Sequence, residues 1–110
     1  MSKETRRFMR LLVFFDLPTI TRADKRAYTL FRRFLIQDGY DMIQWSVYGR
    51  IINGSDDMTT HLQRLKFSLP PAGSVRCLQI SEKQFANMVF LVGEPKKQEK
   101  EVTAQQLVLL

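Results

Sequence analysis

The chain has 110 residues, of which 45% are hydrophobic, and carries a formal net charge of +6 with a pI of about 9.8. That length supports one domain with a modest core, and the basic balance favours a polyanionic partner over an acidic surface or a neutral metabolite. A single cysteine, Cys77, excludes an internal disulfide, and no run is long and apolar enough for a membrane span or signal peptide, so the cytoplasm is the implied compartment.

The lead "MSKETRRF" is polar and basic. It runs into "RLLVFFDL", whose apolar character predicts a buried strand over roughly residues 9–17, ended by Pro18. From Thr21 the pattern changes to three- and four-residue spacing: Ala23, Ala27, Leu30, Phe31, Phe34 and Leu35 mark one helix face, with Thr21 as N-cap and Gly39 as the stop. "YDMIQWSVYGRII", rich in aromatic and β-branched residues and bounded by "NGS", predicts a long second strand. Ser55 or Asp56 then caps a helix with a stripe of Met58, Leu62, Leu65 and Leu69, ended by "PP".

Gly73 opens a third strand, "SVRCLQI", and "SEKQFA" is one capped turn because Ser81 and Gln84 have capping-box spacing. "NMVFLVG" predicts a fourth strand. The stretch "EPKKQEKE" is a charged linker, and "QLVLL" is an apolar end that needs a partner. The divisions are thus residues 1–93 as one domain and 94–110 as charged linker plus C-terminal edge strand. His61 reads as a helix-surface residue, Cys77 as a small core residue, and Trp45 as packing within the second strand.

If the long second strand bends near Gly49 into two ladder segments, the series is α+β with the βαββαβ order of a ferredoxin-like sheet. Both long helices then cover one face. Leu11, Val13 and Phe15 point one way while Leu12, Phe14 and Asp16 point the other, and Met88, Phe90 and Val92 oppose Val89 and Leu91. Two apolar faces with helices for one imply a sheet-to-sheet homodimer, with "QLVLL" closing an edge in its own subunit or across to the partner.

Asp16 falls on the face without helices, where a two-fold axis can bring two copies together. Two roles stay open from the residues alone. One is a pair of carboxylates holding Mg²⁺ or Mn²⁺ against a phosphate oxygen; the other is an Asx turn at the Asp-Leu-Pro corner. On the first helix Arg22, Lys25, Arg26, Thr29 and Arg33 share a face opposite the apolar stripe, a ridge able to track a sugar-phosphate backbone, or else a solvated face. Arg50, Arg64, Lys66 and Arg76 are candidates to widen it.

"RLLVFFDLPT", the basic amphipathic helix and "DGYDMIQWSVYGRIINGS" together resemble the small CRISPR-associated endonuclease family, the dimeric non-integrase subunit of the spacer-acquisition complex. The likeness runs over nearly all of the chain after residue 8. The acid closing the first strand and "QWSVYGRI" are its most diagnostic pieces, the latter most like members from systems with a single RNA-guided effector nuclease. The resemblance implies a ferredoxin-like homodimer, a Mg²⁺ ion shared by the two Asp16 side chains, and metal-dependent cleavage of RNA or DNA phosphodiesters. It also implies two integrase dimers flanking this dimer, with prespacer duplex across its basic surface.

Asp16 matches the family's metal-binding acid, Phe15 the aromatic often found before it, and Tyr48 an aromatic late in the second strand. Arg22 or Arg26 matches the basic residues after the first strand. Met42 departs from the pattern, since some members carry arginine there. Two functional readings follow: a Mg²⁺-dependent endonuclease, and a non-catalytic scaffold that holds duplex for an integrase and keeps a vestigial metal site. An RNA-recognition module is disfavoured because "SVRCLQI" lacks stacking aromatics.

Overall fold

Phe8–Asp16 form β1, at the centre of a four-stranded antiparallel sheet; the computed structural model describes residues 8–94. The other elements are α1 (Arg22–Gln37), β2 (Asp41–Gln44), β3 (Val47–Asn53), α2 (Gly54–Phe67), β4 (Ser74–Ser81) and the short α3 (Glu82–Ala86). The strand order β2-β3-β1-β4, with β1 antiparallel to both β3 and β4, is the ferredoxin-like arrangement of an α+β domain.

The local chemistry of α1 is as the sequence predicts. Thr21 Oγ1 accepts from the Asp24 amide at 3.0 Å and the Asp24 carboxylate accepts from the Thr21 amide at 3.1 Å, a reciprocal cap at the first turn. At the other end Asp38 is the C-cap and Gly39, at φ +90°, turns the chain toward β2. The buried stripe is Phe31 and Leu35 flanked by Tyr28 and Phe34, whereas Leu30 is about half exposed and Ala23 is exposed too. The apolar face is therefore rotated toward Tyr28 from the expected one.

The long strand does not bend near Gly49. It breaks at Trp45–Ser46 into the hairpin β2–β3, with Ser46 at φ 64° and a register shift between Met42 and Gln44. Gly49 continues the ladder opposite Leu12; a β-carbon there would stand 2.8 Å from Leu12 Cδ2 and from Ile43 Cδ1, so its smallness lets those two side chains close over it. Helix α2 starts after Asn53, earlier than Ser55 or Asp56, and ends at Phe67, leaving Leu69 outside its stripe.

Alternation along β1 divides the core as predicted. Leu11, Val13 and Phe15 join Phe31, Leu35, Tyr48, Ile52, Met58 and Leu65 beneath α1 and α2, while Leu12 packs with Ile43 and Phe85 on the opposite face. Full burial of such aliphatic and aromatic side chains is worth about 1.5–3 kcal/mol each. The second face is partly covered by α3. Its Phe85 ring lies under the Arg10 guanidinium, 4.3 Å from carbon to ring centroid, and Glu82 forms an ion pair with Arg10 Nε.

Two expectations fail on this face and its edge. "NMVFLVG" is not a strand: α3 leads the chain over the sheet face and away from the free edge of β4, so the run finds no ladder partner, and Val89, Leu91 and Val92 are strongly exposed. Cys77 is exposed on β4, because α1 and α2 lie over β1 and β3 and leave that edge uncovered. The charged linker beyond Glu94 and "QLVLL" lie outside the described residues. No helix among the described residues is long and apolar enough to cross a membrane.

Candidate functional site

Four segments meet at the C-terminal end of β1. Asp16 is its last residue and pairs with Ser74 at the start of β4; the Phe15 amide donates to the Ser46 carbonyl at 3.1 Å, tying the β2–β3 turn alongside; α1 begins six residues further on. Gly73, at φ +95°, packs under this corner. Asp16 is exposed, on the face that α1 and α2 do not cover, and no ion pair or side-chain hydrogen bond among the described residues engages its carboxylate.

A hydrated, unengaged carboxylate suits Mg²⁺, which holds one or two protein carboxylates and keeps several waters. One chain supplies one such oxygen donor here, and no group of three or more His, Cys, Asp or Glu able to hold a metal ion occurs among the described residues. Water, a nucleic-acid phosphate or a second copy could complete the coordination of an ion at Asp16.

Phe15 and Tyr48 do not stand beside that carboxylate. Both point to the opposite, helix-covered face, where their rings stack at 5.6 Å and 30° and Phe15 meets Phe31 edge-on at 5.3 Å. The Tyr48 hydroxyl accepts from Arg32 Nε at 2.8 Å. Their bearing on Asp16 is thus mechanical: they fix the backbone of β1 and β3 from below.

The basic ridge forms as the spacing predicts. Arg22, Lys25, Arg26 and Arg33 are exposed and, with Thr29 and Leu30, line one shallow concavity along α1. The wider basic set is divided. Arg50 donates to the Asp38 and Ile51 carbonyls and Arg64 to Asp38 Oδ1 at 2.9 Å, so both serve the fold, whereas Lys66 and Arg76 remain exposed. Arg76 shares the Asp16 face, opposite Phe14.

His61 is not a surface residue. It is buried, with Nδ1 2.8 Å from Asp38 Oδ2 and Nε2 3.2 Å from Asp57 Oδ1. Arg50 Nη1 lies 3.4 Å from the same Nδ1 but is satisfied by the Asp38 carbonyl. The signal for this cluster was Asp57, one helical turn before His61. Arg32, missed among the basic residues, carried no signal because its partner Tyr48 is fixed only by the tertiary fold.

The family model for CRISPR associated protein Cas2 matches residues 9–88. A CRISPR-associated endoribonuclease Cas2 from Acidovorax ebreus (strain TPSY) is 63% identical over 101 residues, covering 92% of this chain and 99% of that protein. The protein of the same name from Streptococcus mutans serotype c (strain ATCC 700610 / UA159) is 41% identical over 86 residues, 78% of this chain and 79% of its own. A crystal structure of Cas2 superposes with a TM-score of 0.50 at 20% identity, covering 82% of this chain and 92% of that one, which supports the fold. A family match across the whole ferredoxin-like sheet, joined to relatives this similar over this much of their length, makes the chain a member of the CRISPR-associated Cas2 family.

Proposed function

We propose that this chain acts as a homodimeric, metal-dependent endonuclease-like subunit of CRISPR spacer acquisition, bridging integrase dimers and binding prespacer duplex DNA in the cytoplasm. The observation that carries the reading is the exposed, unengaged Asp16 carboxylate at the end of β1, next to the start of a helix whose outer face is cationic. The endoribonuclease names of the relatives support phosphodiester hydrolysis, with RNA and DNA both as candidate substrates.

Asp16 from each copy would hold an ion, Mg²⁺ or Mn²⁺, which would supply Lewis-acid polarisation of the phosphodiester and an activated water. Arg22, Lys25, Arg26 and Arg33 neutralise backbone phosphates and hold the strand, while Phe15 and Tyr48 keep the Asp16 corner in register. The exposed run Met88–Val92 and Leu78 on β4 supply apolar surface for a second copy.

The second reading keeps the duplex and removes the cut: a scaffold with a vestigial metal site. The basic concavity on α1 favours it, because that surface needs no metal to bind a phosphate backbone. Cleavage of labelled duplex DNA and single-stranded RNA separates the two, with Mg²⁺ and with chelator, using wild type and Asp16→Ala that both elute as dimers. Metal-dependent cutting lost in the variant establishes the nuclease. Tight, salt-sensitive duplex binding with no cutting by either establishes the scaffold, and equal cutting by both removes Asp16 from the chemistry.

A further inference from the structure

Trp45 is the only tryptophan in the sequence, and it stands at the tip of the β2–β3 turn with 75% of its surface exposed. An indole in that position normally costs solubility and returns nothing to the core. This one is held in place. Ser46 adopts a left-handed conformation, φ 64°, to make the turn, and its carbonyl accepts from the Phe15 amide, so the turn is pinned to the last residues of β1. One face of the indole stacks on Tyr28 of α1, centroids 6.1 Å apart and planes 26° apart, and Tyr28 in turn meets the buried Phe15 ring. The other face is left to solvent.

Charge identifies what that face fits. Tyr28 lies between Lys25 and Arg32 at three- and four-residue spacing on α1, so cations stand one turn to either side of the aromatic pair. Both are exposed, and Arg32 is oriented by its bond to the Tyr48 hydroxyl. A flat, pre-ordered aromatic surface flanked by cations matches a nucleotide: base on the indole, phosphates on Lys25 and Arg32. Inside a duplex a base is stacked on both neighbours and even a terminal pair frees only one face, so an unpaired base, free to swing out onto the indole, is the ligand that fits best.

We propose that Trp45 is a stacking platform for an unpaired nucleobase at the end of a bound strand, with Tyr28 as its backing. The inference rests on the nucleic-acid reading above and adds the strand state it selects. Because the Trp45 turn is bonded to the residue before Asp16, a base docked there sets the register of the neighbouring phosphodiesters toward the Asp16 end of the sheet.

The test uses the full chain, a labelled blunt DNA duplex and the same duplex carrying unpaired thymidine tails, with anisotropy for binding and indole emission for contact. The tailed probe is expected to quench the emission as it saturates, and the blunt one to leave it unchanged. Trp45→Ser should bind the tailed probe about tenfold more weakly while keeping wild-type affinity for the blunt one, and Trp45→Phe should restore most of the loss. Melting curves of both variants check the fold. Absence of quenching at saturation, or unchanged tailed-probe affinity in Trp45→Ser beside intact blunt-duplex binding, overturns this inference alone. So does a Trp45→Ser chain that elutes as monomer where wild type is dimeric, since the ring then belongs to a protein interface. Wild type binding neither probe overturns the nucleic-acid reading as well.

Discussion

Gly73 is packed against the Asp16 corner so closely that a β-carbon built on it would stand 2.6 Å from the Asp16 carbonyl oxygen and 2.8 Å from Leu17 Cδ2. The position also has φ +95°, which side-chain-bearing residues rarely adopt. Gly73→Ala must therefore move backbone, and the backbone it moves carries the candidate ligand. We expect a stability loss of about 2 kcal/mol in urea denaturation, and a fall in metal-dependent cleavage that persists at temperatures where the variant is fully folded. Full activity in the folded variant would show that the corner tolerates displacement.

The basic concavity gives a prediction in salt. If Arg22, Arg26 and Arg33 each neutralise one phosphate, the triple alanine variant should flatten the slope of log affinity against log salt by about 2–3, near 0.9 per lost contact. Duplex binding measured across a salt series reads this directly. An unchanged slope places the duplex elsewhere.

His61 joins the C-terminal end of α1 to α2 through Asp38 and Asp57, and both of its ring nitrogens are committed. His61→Leu fills the space but leaves Asp38 without its partner at 9% side-chain exposure, with Arg64 as the remaining counter-charge. We expect about 2–3 kcal/mol lower stability, and a coupling energy above 1 kcal/mol in a double-mutant cycle with Asp38→Asn. Additive single losses would mean the cluster is three independent surface contacts.

The cap of α1 sets an acid-side prediction. Donation from the Thr21 amide holds the Asp24 carboxyl below its ordinary value, and the Thr21 hydroxyl bond adds to it. A depressed carboxyl contributes stability above its unfolded pKa and loses it as pH falls through the folded value, so the contribution fades below about pH 4. Wild type and Asp24→Asn should differ in melting temperature at neutral pH and converge as acid is added. A difference that is constant across that range would show that the charge of Asp24 is immaterial to the cap.

Removing Glu82, whose side chain at the start of α3 is only 12% exposed, should be costly. Its ion-pair partner Arg10 is 4% exposed and meets Glu82 through Nε, while Arg10 Nη2 is buried with no hydrogen-bond partner among the described residues. Glu82→Ala leaves a buried guanidinium uncompensated, a loss of about 3 kcal/mol by thermal or urea melting, whereas Arg10→Met removes the charge with its stem and should cost less. The reverse ranking would show that the pair is not desolvated.

Local signals carried far in this sequence, and contact-dependent ones did not. Thr21 and Gly39 bracket α1 because capping and left-handed stops are decided within four residues, and alternation in β1 assigned Leu11 and Leu12 to opposite faces for the same reason. The hairpin at Trp45–Ser46 was missed because its turn lacks glycine and proline, and Gly49 drew the break toward itself. His61 and Arg10 were misjudged or passed over because their burial depends on partners from α1 and α3. "NMVFLVG" has the composition of a strand, but pairing needs an edge within reach, which composition does not encode. Asp16 and the cationic side of α1 were legible as candidates, since a lone acid closing an apolar strand and a one-sided charge pattern are both visible in one dimension.

The Arg10 guanidinium, gripped by Glu82 and laid over Phe85, also fixes the direction in which the chain leaves the domain. Helix α3 has five residues and little hold on the sheet beyond Phe85 and this pair, so β1 acts as the bollard to which the departing segment is moored. The heading of residues 88–94 is thereby written near the N-terminus: a substitution at Arg10 can redirect that apolar run, and whatever it reaches, without touching a residue of it.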